Sequence, residues 1–319
     1  MTETRETLFG PITVSVSNGK VGELTFGACD SSRLNAQSHA GDVPLLNRVF
    51  RQLEEYFSGR RQTFDLPLEP ASTPFAQRVR DALLCVEFGE TVSYGELAKR
   101  AGAPFASRAV GGVMRTNPFP ILVPCHRVLA AGGKIGGYSS GVEIKRRLLN
   151  LEKFAAPGYW DEWTAEDNCV LLYLRVHGKI LLIRKKRGLG KGKINGPGGH
   201  IESGETPLMA AIRETQEEVG LTPLSPKHCG TLQFAFLNGY TERCEVFQAE
   251  AYEGTLRETD EAEPFWCDEA TIPLDQMWAD DQYWFPLLLR GKRFHLRYVF
   301  DDDRLLFGNA VPISSRLGG

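Results

Sequence analysis

Residues 107–128 read SRAVGGVMRTNPFPILVPCHRV and residues 199–221 read GHIESGETPLMAAIRETQEEVGL, two stretches that divide the 319-residue chain into two chemistries. The first sets Cys125 beside His126, after a proline-rich turn and a short helix that carries Gly111 and Gly112. A cysteine becomes a nucleophile when a neighbour lowers its pKa or takes its proton. His126 is the base candidate, and the carboxylate of Glu152 can orient its imidazole. A Cys-His pair alone is more often accidental, and for the other six cysteines packing is the simpler reading. In the second stretch Glu214, Glu217 and Glu218 fall at i, i+3 and i+4, on one face of a helix. Carboxylates so close repel one another, and a cation is the natural remedy. Hard oxygen donors point to a hard cation such as magnesium or manganese.

Outward from the first stretch, Ile12, Val14 and Val16 alternate, Asn18-Gly19 supplies a hairpin turn, and Val21, Leu24 and Phe26 return as the partner strand. Leu45, Leu46, Val49, Phe50, Leu53, Tyr56 and Phe57 share a helical face behind Pro44. Thr73-Pro74 is a cap followed by a first-turn proline, with Phe75, Val79, Ala82, Leu83 and Val86 as the buried stripe. SYGELAKRAG and SRAVGGVMRTN are two short helices across a Gly-Ala-Pro turn, the pattern of a helix-turn-helix. Outward from the second stretch, CVLLYLRV and GKILLIRKK are strands joined by a His-Gly turn, with further strands and a helix near YWFPLLL downstream. Residues 153–168, with no clean period and a Pro-Gly pair, read as the connection. No internal repeat or low-complexity tract interrupts the chain.

From about Pro11 to Glu152 the chain closely resembles the methylated-DNA–protein cysteine methyltransferases, most densely over SYGELAKRAG, SRAVGGVMRTNPFPILVPCHRV and GGYSSGVEIKRRLL. The resemblance implies that Cys125 takes an alkyl group from guanine O6 in double-stranded DNA. His126 through a water, and Glu152, would help form the thiolate; Tyr138 would protonate the departing oxygen; Lys145 would keep the site polar; Asn117 would brace its turn. It further implies that Arg108 fills the gap left by a flipped base and that Tyr94 holds the neighbouring phosphate. Ala109, Gly111 and Gly112 would leave bare backbone for the minor groove, with Arg115 and the Ser139 N–H also on the DNA side. The Cys125 and Val128 carbonyls would read the guanine amino group, and no cofactor is implied. Two departures stand out. Arg80 replaces a tryptophan usual in bacterial relatives, and Cys29 with His39 falls short of the metal site of some animal members. The rival reading is a damage sensor or regulator.

The second stretch fits the Nudix pattern at Gly199, Glu205, Arg213, Glu214, Glu217, Glu218, Gly220 and Leu221, with Thr215 at a position that is usually apolar. The resemblance implies metal ligands at Glu214, Glu218, Glu217 and the Gly199 carbonyl, Glu217 or Glu218 acting on water, and Arg213 anchoring Glu205. From Cys169 to Leu306 the chain is similar to the animal oxidised-purine nucleoside triphosphatases. By position Asn195, Trp278, Asp280 and Asp281 would read the base, Phe234 and Phe236 would line its pocket, and Lys185 would sit near the phosphates or the base. A tryptophan stacks on a purine, and an amide with two aspartates reads its edge. Leu189, Ile194 and Pro197 replace aromatic residues of that pocket. The expected substrates are modified purine nucleoside triphosphates: 8-oxo-dGTP, 2-hydroxy-dATP or O6-methyl-dGTP. ADP-ribose and dinucleoside polyphosphates are the alternatives.

The composition fits this division. At 42% hydrophobic and 24% charged it is that of a globular chain. Residues 1–152 carry 18 basic and 15 acidic side chains, and residues 153–319 carry 19 and 25, a split too small to decide a partner by itself. Seven scattered cysteines (29, 85, 125, 169, 229, 244, 267) without a CxxC pair suit free thiols in a reducing cytoplasm. No run approaches the roughly 20 apolar residues of a membrane span. The expectation is an α+β monomer in four stretches. Residues 1–70 form a ribonuclease-H-like sheet domain and 71–155 a helical, winged-helix-like alkyltransferase domain. Residues 156–168 are a linker, and 169–319 form an α/β/α sandwich of the Nudix type.

Overall fold

The computed structural model describes residues 1–28 and 42–311, so Cys29 and His39 lie outside the described residues. Two compact units divide between Glu162 and Trp163, inside the stretch expected to connect them.

In the first unit, strands β1 (Thr2–Thr7), β2 (Gly10–Ser17) and β3 (Lys20–Phe26) form an antiparallel sheet in that order. Asn18 (φ 52°) and Gly19 (φ 73°) make the β2–β3 turn, a left-handed pair that asparagine and glycine adopt at least cost. Strand β1, TETRET, has no apolar alternation to announce it; it joins as an edge strand, Thr2 opposite Ser15. Helix α1 (Asp42–Phe57) buries the predicted face, Leu45 to Phe57, and with it Tyr56. Helix α2 (Pro74–Leu84) opens on Thr73, whose hydroxyl accepts from the Ala76 N–H at 3.1 Å. The buried Arg80 on this helix lies 5.0 Å over the Phe119 ring and donates to the Glu69 carbonyl at 2.7 Å. A cation–π contact thus stands where relatives were expected to pack tryptophan.

After the two-residue strand β4 (Val92–Ser93), helices α3 (Tyr94–Arg100) and α4 (Ser107–Arg115) pack on one another as the predicted helix-turn-helix. Val110 and Met114 point inward from α4. Arg108, Gly111, Gly112 and Arg115, at i, i+3, i+4 and i+7, form another row. A Cβ on Gly112 would meet nothing within 4 Å, and one on Gly111 only the Tyr94 ring at 3.9 Å, so internal packing requires neither glycine. Strand β5 (Val128–Leu129) pairs in parallel with β4 just past the cysteine turn. Helix α5 (Val142–Ala155) then brings Lys145 and Glu152 inward.

In the second unit the first strand, β6 (Asp167–Val176), starts two residues ahead of Cys169, and β7 (Lys179–Lys185) follows through His177 (φ 52°) and Gly178 (φ 75°). Then follow β8 (Ile194–Asn195), α6 (Pro207–Val219), β9 (Leu221–Leu224), β10 (Lys227–Phe236), β11 (Thr241–Ala249) and β12 (Ala251–Gly254). The described residues end with β13 (Ala262–Asp268), α7 (Asp281–Leu289), β14 (Phe294–Asp301) and β15 (Arg304–Val311). The main sheet runs β13-β7-β6-β11-β10-β14-β15 and is mixed, with β6–β11 and β10–β14 parallel. Ala210, Ala211 and Val219 of α6 pack on one face against Leu172, Leu181 and Ile183. Trp284, Phe285 and Leu288 of α7 pack on the other against Tyr173, Leu182 and Leu296. This is the helix–sheet–helix sandwich that the sequence led us to expect. The unexpected Thr215 is buried, and its hydroxyl is satisfied by the Ala211 carbonyl at 2.7 Å.

Candidate functional sites

In the first unit Cys125 sits in a 3-10 turn, 5% exposed, after a loop in which the buried Ile121 is held at φ 72°. A β-branched residue in the left-handed region costs on the order of 1–3 kcal/mol, and the surroundings must impose it. Asn117 does much of this: its amide donates to the Val123 carbonyl and to Cys125 Sγ, both at 3.1 Å, and its oxygen accepts from the Phe119 N–H. Burial raises the thiol pKa, opposed by Asn117, Tyr138 and Lys145. Lys145 is itself buried, donates to the Val128 carbonyl at 2.6 Å, and is lowered by that burial. The Val128 carbonyl, expected to read guanine, thus already has one acceptor direction in use.

His126 is fully buried, with Nε2 2.8 Å from Glu152 Oε1. A carboxylate there calls for the hydrogen on Nε2, which leaves Nδ1 as the basic nitrogen. That atom has no hydrogen-bond partner among the described residues. Glu152 also receives Tyr56 Oη at 2.6 Å, two guanidinium nitrogens of Arg127 at 2.9 Å, and the Gly89 N–H at 3.1 Å. Burial would raise this carboxyl, but His126 and Arg127 hold it well below the usual range. Sequence reading missed Tyr56 and Arg127. Arg127 adjoins the Cys-His pair, whereas Tyr56 sat unremarked in an apolar stripe. The buried Tyr138 hydroxyl makes no well-formed hydrogen bond, and burial with the nearby thiol raises its pKa well above the ordinary value. Tyr94 is half-buried and close enough to Cys125 to be raised by it as well as by burial. Arg108, Ala109, Arg115 and Ser139 are exposed.

In the second unit a cavity of about 660 Å³ brings together Lys185, Asn195, Gly199, Glu214, Glu218, Phe234, Phe236, Trp278, Asp280 and Asp281. Of the predicted set only Glu217 stands apart: its side chain is 61% exposed and bonded to Arg213 at 3.1 Å. Arg213 also clasps Glu205 through two bonds of 2.8 Å, reaches Glu214 at 2.8 Å and donates to the His200 carbonyl at 3.1 Å. A Cβ on Gly199 would fall 2.5 Å from the Glu214 carboxyl, so glycine is what lets that carboxylate lie against the loop. The Gly199 carbonyl accepts from the Val170 N–H at 2.9 Å, leaving one lone pair. Glu218, 3% exposed, accepts the Gly198 N–H at 2.9 Å, and burial, with Glu214 adding to it, pushes it up to about 7.

Among the described residues no three His, Cys, Asp or Glu side chains are close enough to hold an ion unaided. Two carboxylates and a carbonyl nonetheless make an all-oxygen donor set that suits a hard divalent cation. The buried Glu218, which Lys185 and Arg187 do not return to the ordinary carboxylate range, is what such an ion would relieve.

At the other end of the cavity Asp280 and Asp281 are 2% and 3% exposed. Asp280 accepts from Trp284 Nε1 at 3.1 Å and makes no helix-cap bond; Asp281 accepts from the Trp278 N–H at 2.8 Å. Burial pushes Asp280 up to about 7 and, with Asp280 beside it, raises Asp281 well above the carboxylate range. Glu242 and Tyr240, which no sequence signal marked, line the same cavity.

These features define two classes of module, a helix-turn-helix unit around a buried thiol and a sandwich whose cavity joins carboxylates to an aromatic pocket. Residues 2–70 match the family described as 6-O-methylguanine DNA methyltransferase, ribonuclease-like domain, and residues 74–154 its DNA binding domain. Residues 167–288 match the NUDIX domain. The chain therefore belongs to the 6-O-methylguanine DNA methyltransferase family in its first unit and to the NUDIX family in its second. It is 53% identical over 106 residues (33% of its length) to the methylated-DNA–protein-cysteine methyltransferase of Mycobacterium bovis, and spans 64% of that relative. It is 50% identical over 119 residues (37% of its length) to the oxidized purine nucleoside triphosphate hydrolase of Danio rerio, and spans 76% of it. A crystal structure of the Mycobacterium tuberculosis O6-methylguanine methyltransferase is similar at 40% identity and a TM-score of 0.44, covering 50% of this chain and 96% of that one.

Proposed function

We propose that the first unit transfers alkyl groups from O6-alkylguanine in double-stranded DNA irreversibly to Cys125, and that the second hydrolyses modified purine nucleoside triphosphates to monophosphates and pyrophosphate. The observation that carries the first reading is the unpartnered Nδ1 of His126, next in sequence to a buried thiol, on an imidazole anchored through Nε2. The thiol proton passes to that nitrogen through a water, and sulfur attacks the alkyl carbon in line. A C–S bond forms, the C–O6 bond breaks, and guanine leaves with a proton delivered at O6 by Tyr138. The target base must leave the stack, at a cost of a few kcal/mol. Arg108 occupies its place, Tyr94 holds the adjacent phosphate, and the Arg108–Gly111–Gly112–Arg115 row with Ala109 lies in the minor groove. The Ser139 N–H assists at O6.

In the second unit Trp278, Phe234 and Phe236 enclose the base, and Asn195, Asp280 and Asp281 read its edge. Lys185 faces the phosphates, and Glu217 or Glu218 takes the proton of the attacking water. A magnesium or manganese ion held by Glu214, Glu218 and the Gly199 carbonyl would neutralise phosphate charge and acidify water; Glu217, expected to join them, would first have to leave Arg213. One cavity containing both the aspartate pair and Glu214 with Glu218 supports this reading. O6-methyl-dGTP belongs with 8-oxo-dGTP and 2-hydroxy-dATP among the expected substrates, since the partner module acts on the same lesion.

The test is a pair of assays on the full chain. Radiolabelled methyl transfer from duplex DNA should be lost in Cys125→Ala. Hydrolysis rates for dGTP, its modified forms, 2-hydroxy-dATP and ADP-ribose, with Glu218→Gln as blank, should favour the modified purines. Activity on ADP-ribose alone would remove the base-pocket assignment.

A further inference from the structure

Phe105 is 100% exposed, and no other large apolar side chain among the described residues exceeds 55%. Hydrogen bonds on both sides fix its backbone. Helix α3 ends on Gly102 at φ 72°, and the Gly102 and Ala103 N–H groups donate to the Lys99 and Ala98 carbonyls, both at 2.9 Å. The next turn closes with the Ala106 N–H donating to the Ala103 carbonyl at 2.9 Å, which puts Pro104 and Phe105 at its corner. The Ala106 carbonyl then accepts from the Val110 N–H at 2.9 Å, inside α4. The turn is thus held at a set place while its ring packs on nothing in the chain. Three residues ahead of Arg108, Phe105 continues by one turn the row of Arg108, Gly111, Gly112 and Arg115. Both arginines are exposed, and neither has an ion-pair or hydrogen-bond partner among the described residues. A protein partner would call for a contiguous apolar patch. What surrounds Phe105 is instead Pro104, Ser107, Arg108 and Ala109, all exposed. One aromatic ring among unpaired cations and bare backbone fits a duplex: phosphates take the arginines, and a phenyl can be buried between stacked bases from the minor groove.

We infer that Phe105 is an apolar wedge that enters the minor groove beside the nucleotide displaced by Arg108 and unstacks a neighbouring base step. The inference rests on the reading of the first unit as an alkyltransferase acting on duplex DNA. One helical turn advances about 5.4 Å, between one and two base-pair rises of about 3.4 Å. The wedge therefore falls one or two steps from the gap that Arg108 fills. Unstacking there loosens the duplex next to the target base and lowers the cost of turning it out.

The experiment measures duplex binding by the full chain, with Cys125→Ala in place so that the complex does not react. The DNA carries O6-methylguanine with 2-aminopurine one or two steps away. With Phe105 present, 2-aminopurine fluorescence should rise on binding, because unstacking relieves its quenching. Phe105→Ala should remove most of that rise and weaken affinity about 10-fold, with the slope of log Kd against log salt unchanged, since no charge is lost. Phe105→Trp keeps an aromatic wedge, so it should bind comparably and lose its own emission as it stacks. Arg115→Gln gives the contrasting signature, a slope reduced by about one. Melting curves should be unchanged in both Phe105 variants, since the ring contributes no packing within the chain. Undiminished affinity in Phe105→Ala, or weaker binding with the fluorescence rise intact, overturns the wedge, and methyl transfer by the wild-type chain then leaves the alkyltransferase reading standing. A wild-type chain that takes no methyl group from the duplex overturns that reading itself.

Discussion

Glu152 and Glu218 are both carboxylates with almost no solvent contact, and the protein treats them in opposite ways. Glu152 is surrounded by protein donors: an imidazole, a guanidinium, a phenol and a backbone N–H. Its pKa is driven down although burial alone would raise it. Glu218 has one backbone N–H from Gly198, a like-charged Glu214 nearby and a pKa of about 7. Folding completes the first environment, whereas in the second burial outweighs the Gly198 N–H and the charges of Lys185 and Arg187. The difference separates a carboxylate satisfied by the protein's own donors from one that a cation would satisfy. The same contrast marks Asp280 and Asp281, buried without a cationic hydrogen-bond partner and facing a cavity.

The largest effect expected from this contrast is catalytic. Glu218→Gln should lower hydrolysis roughly 10³-fold, about 4 kcal/mol of transition-state stabilisation, in steady-state assays with methyl transfer unchanged. Next is Arg127→Met, which strands the charge of Glu152 in the interior. It should destabilise the first unit by about 3–5 kcal/mol, seen as a lowered calorimetric transition of the full chain. A loss below about 1 kcal/mol would mean that the buried pair is not what holds Glu152 ionised.

The two units should also answer pH with opposite signs. Glu152 has a folded pKa below its unfolded value, so its contribution to stability is present above about pH 4.3 and is lost as pH falls through the folded pKa. Glu218 and Asp280 have folded pKa values raised to about 7, so their contribution is full below about pH 4 and is lost as pH rises toward about 7. Without metal, the transition of the second unit should therefore fall between about pH 4 and 7, and Glu218→Gln should flatten part of that fall. Metal titration followed calorimetrically should show affinity weakening up to tenfold per pH unit below about 7, as protons compete for Glu218. A pH-independent metal affinity would remove Glu218 from the ligand set. The smallest effect concerns α4. Gly112→Ala should stabilise the helix by about 1 kcal/mol, because nothing within the chain crowds that position. It should weaken duplex binding in a fluorescence titration if bare backbone is what the DNA meets; unchanged affinity would return the glycine to a merely permissive role.

Much of this was legible in the chain. Asn18-Gly19 and His177-Gly178 marked hairpins because few residue pairs adopt their dihedral angles, and Thr73-Pro74 marked a helix start because its chemistry is local. The i, i+3, i+4 spacing by itself put three glutamates on one helix face. Strand β1 escaped because an edge strand made of Thr, Glu and Arg carries no burial pattern. Tyr56 escaped because its ring obeys the apolar period of α1 while its hydroxyl reaches Glu152, 96 residues away.

The sequence by itself therefore determined which chemistries the chain contains, since Cys125-His126 and the Glu214–Glu218 spacing are properties of neighbouring residues. Only the tertiary structure decided which of those groups are charged, which are satisfied and which face a ligand. Glu218 lies in the cavity and Glu217 in solvent although the two are adjacent on one helix. Burial and hydrogen-bond partners depend on distances between residues far apart in the chain, and those distances are set by packing.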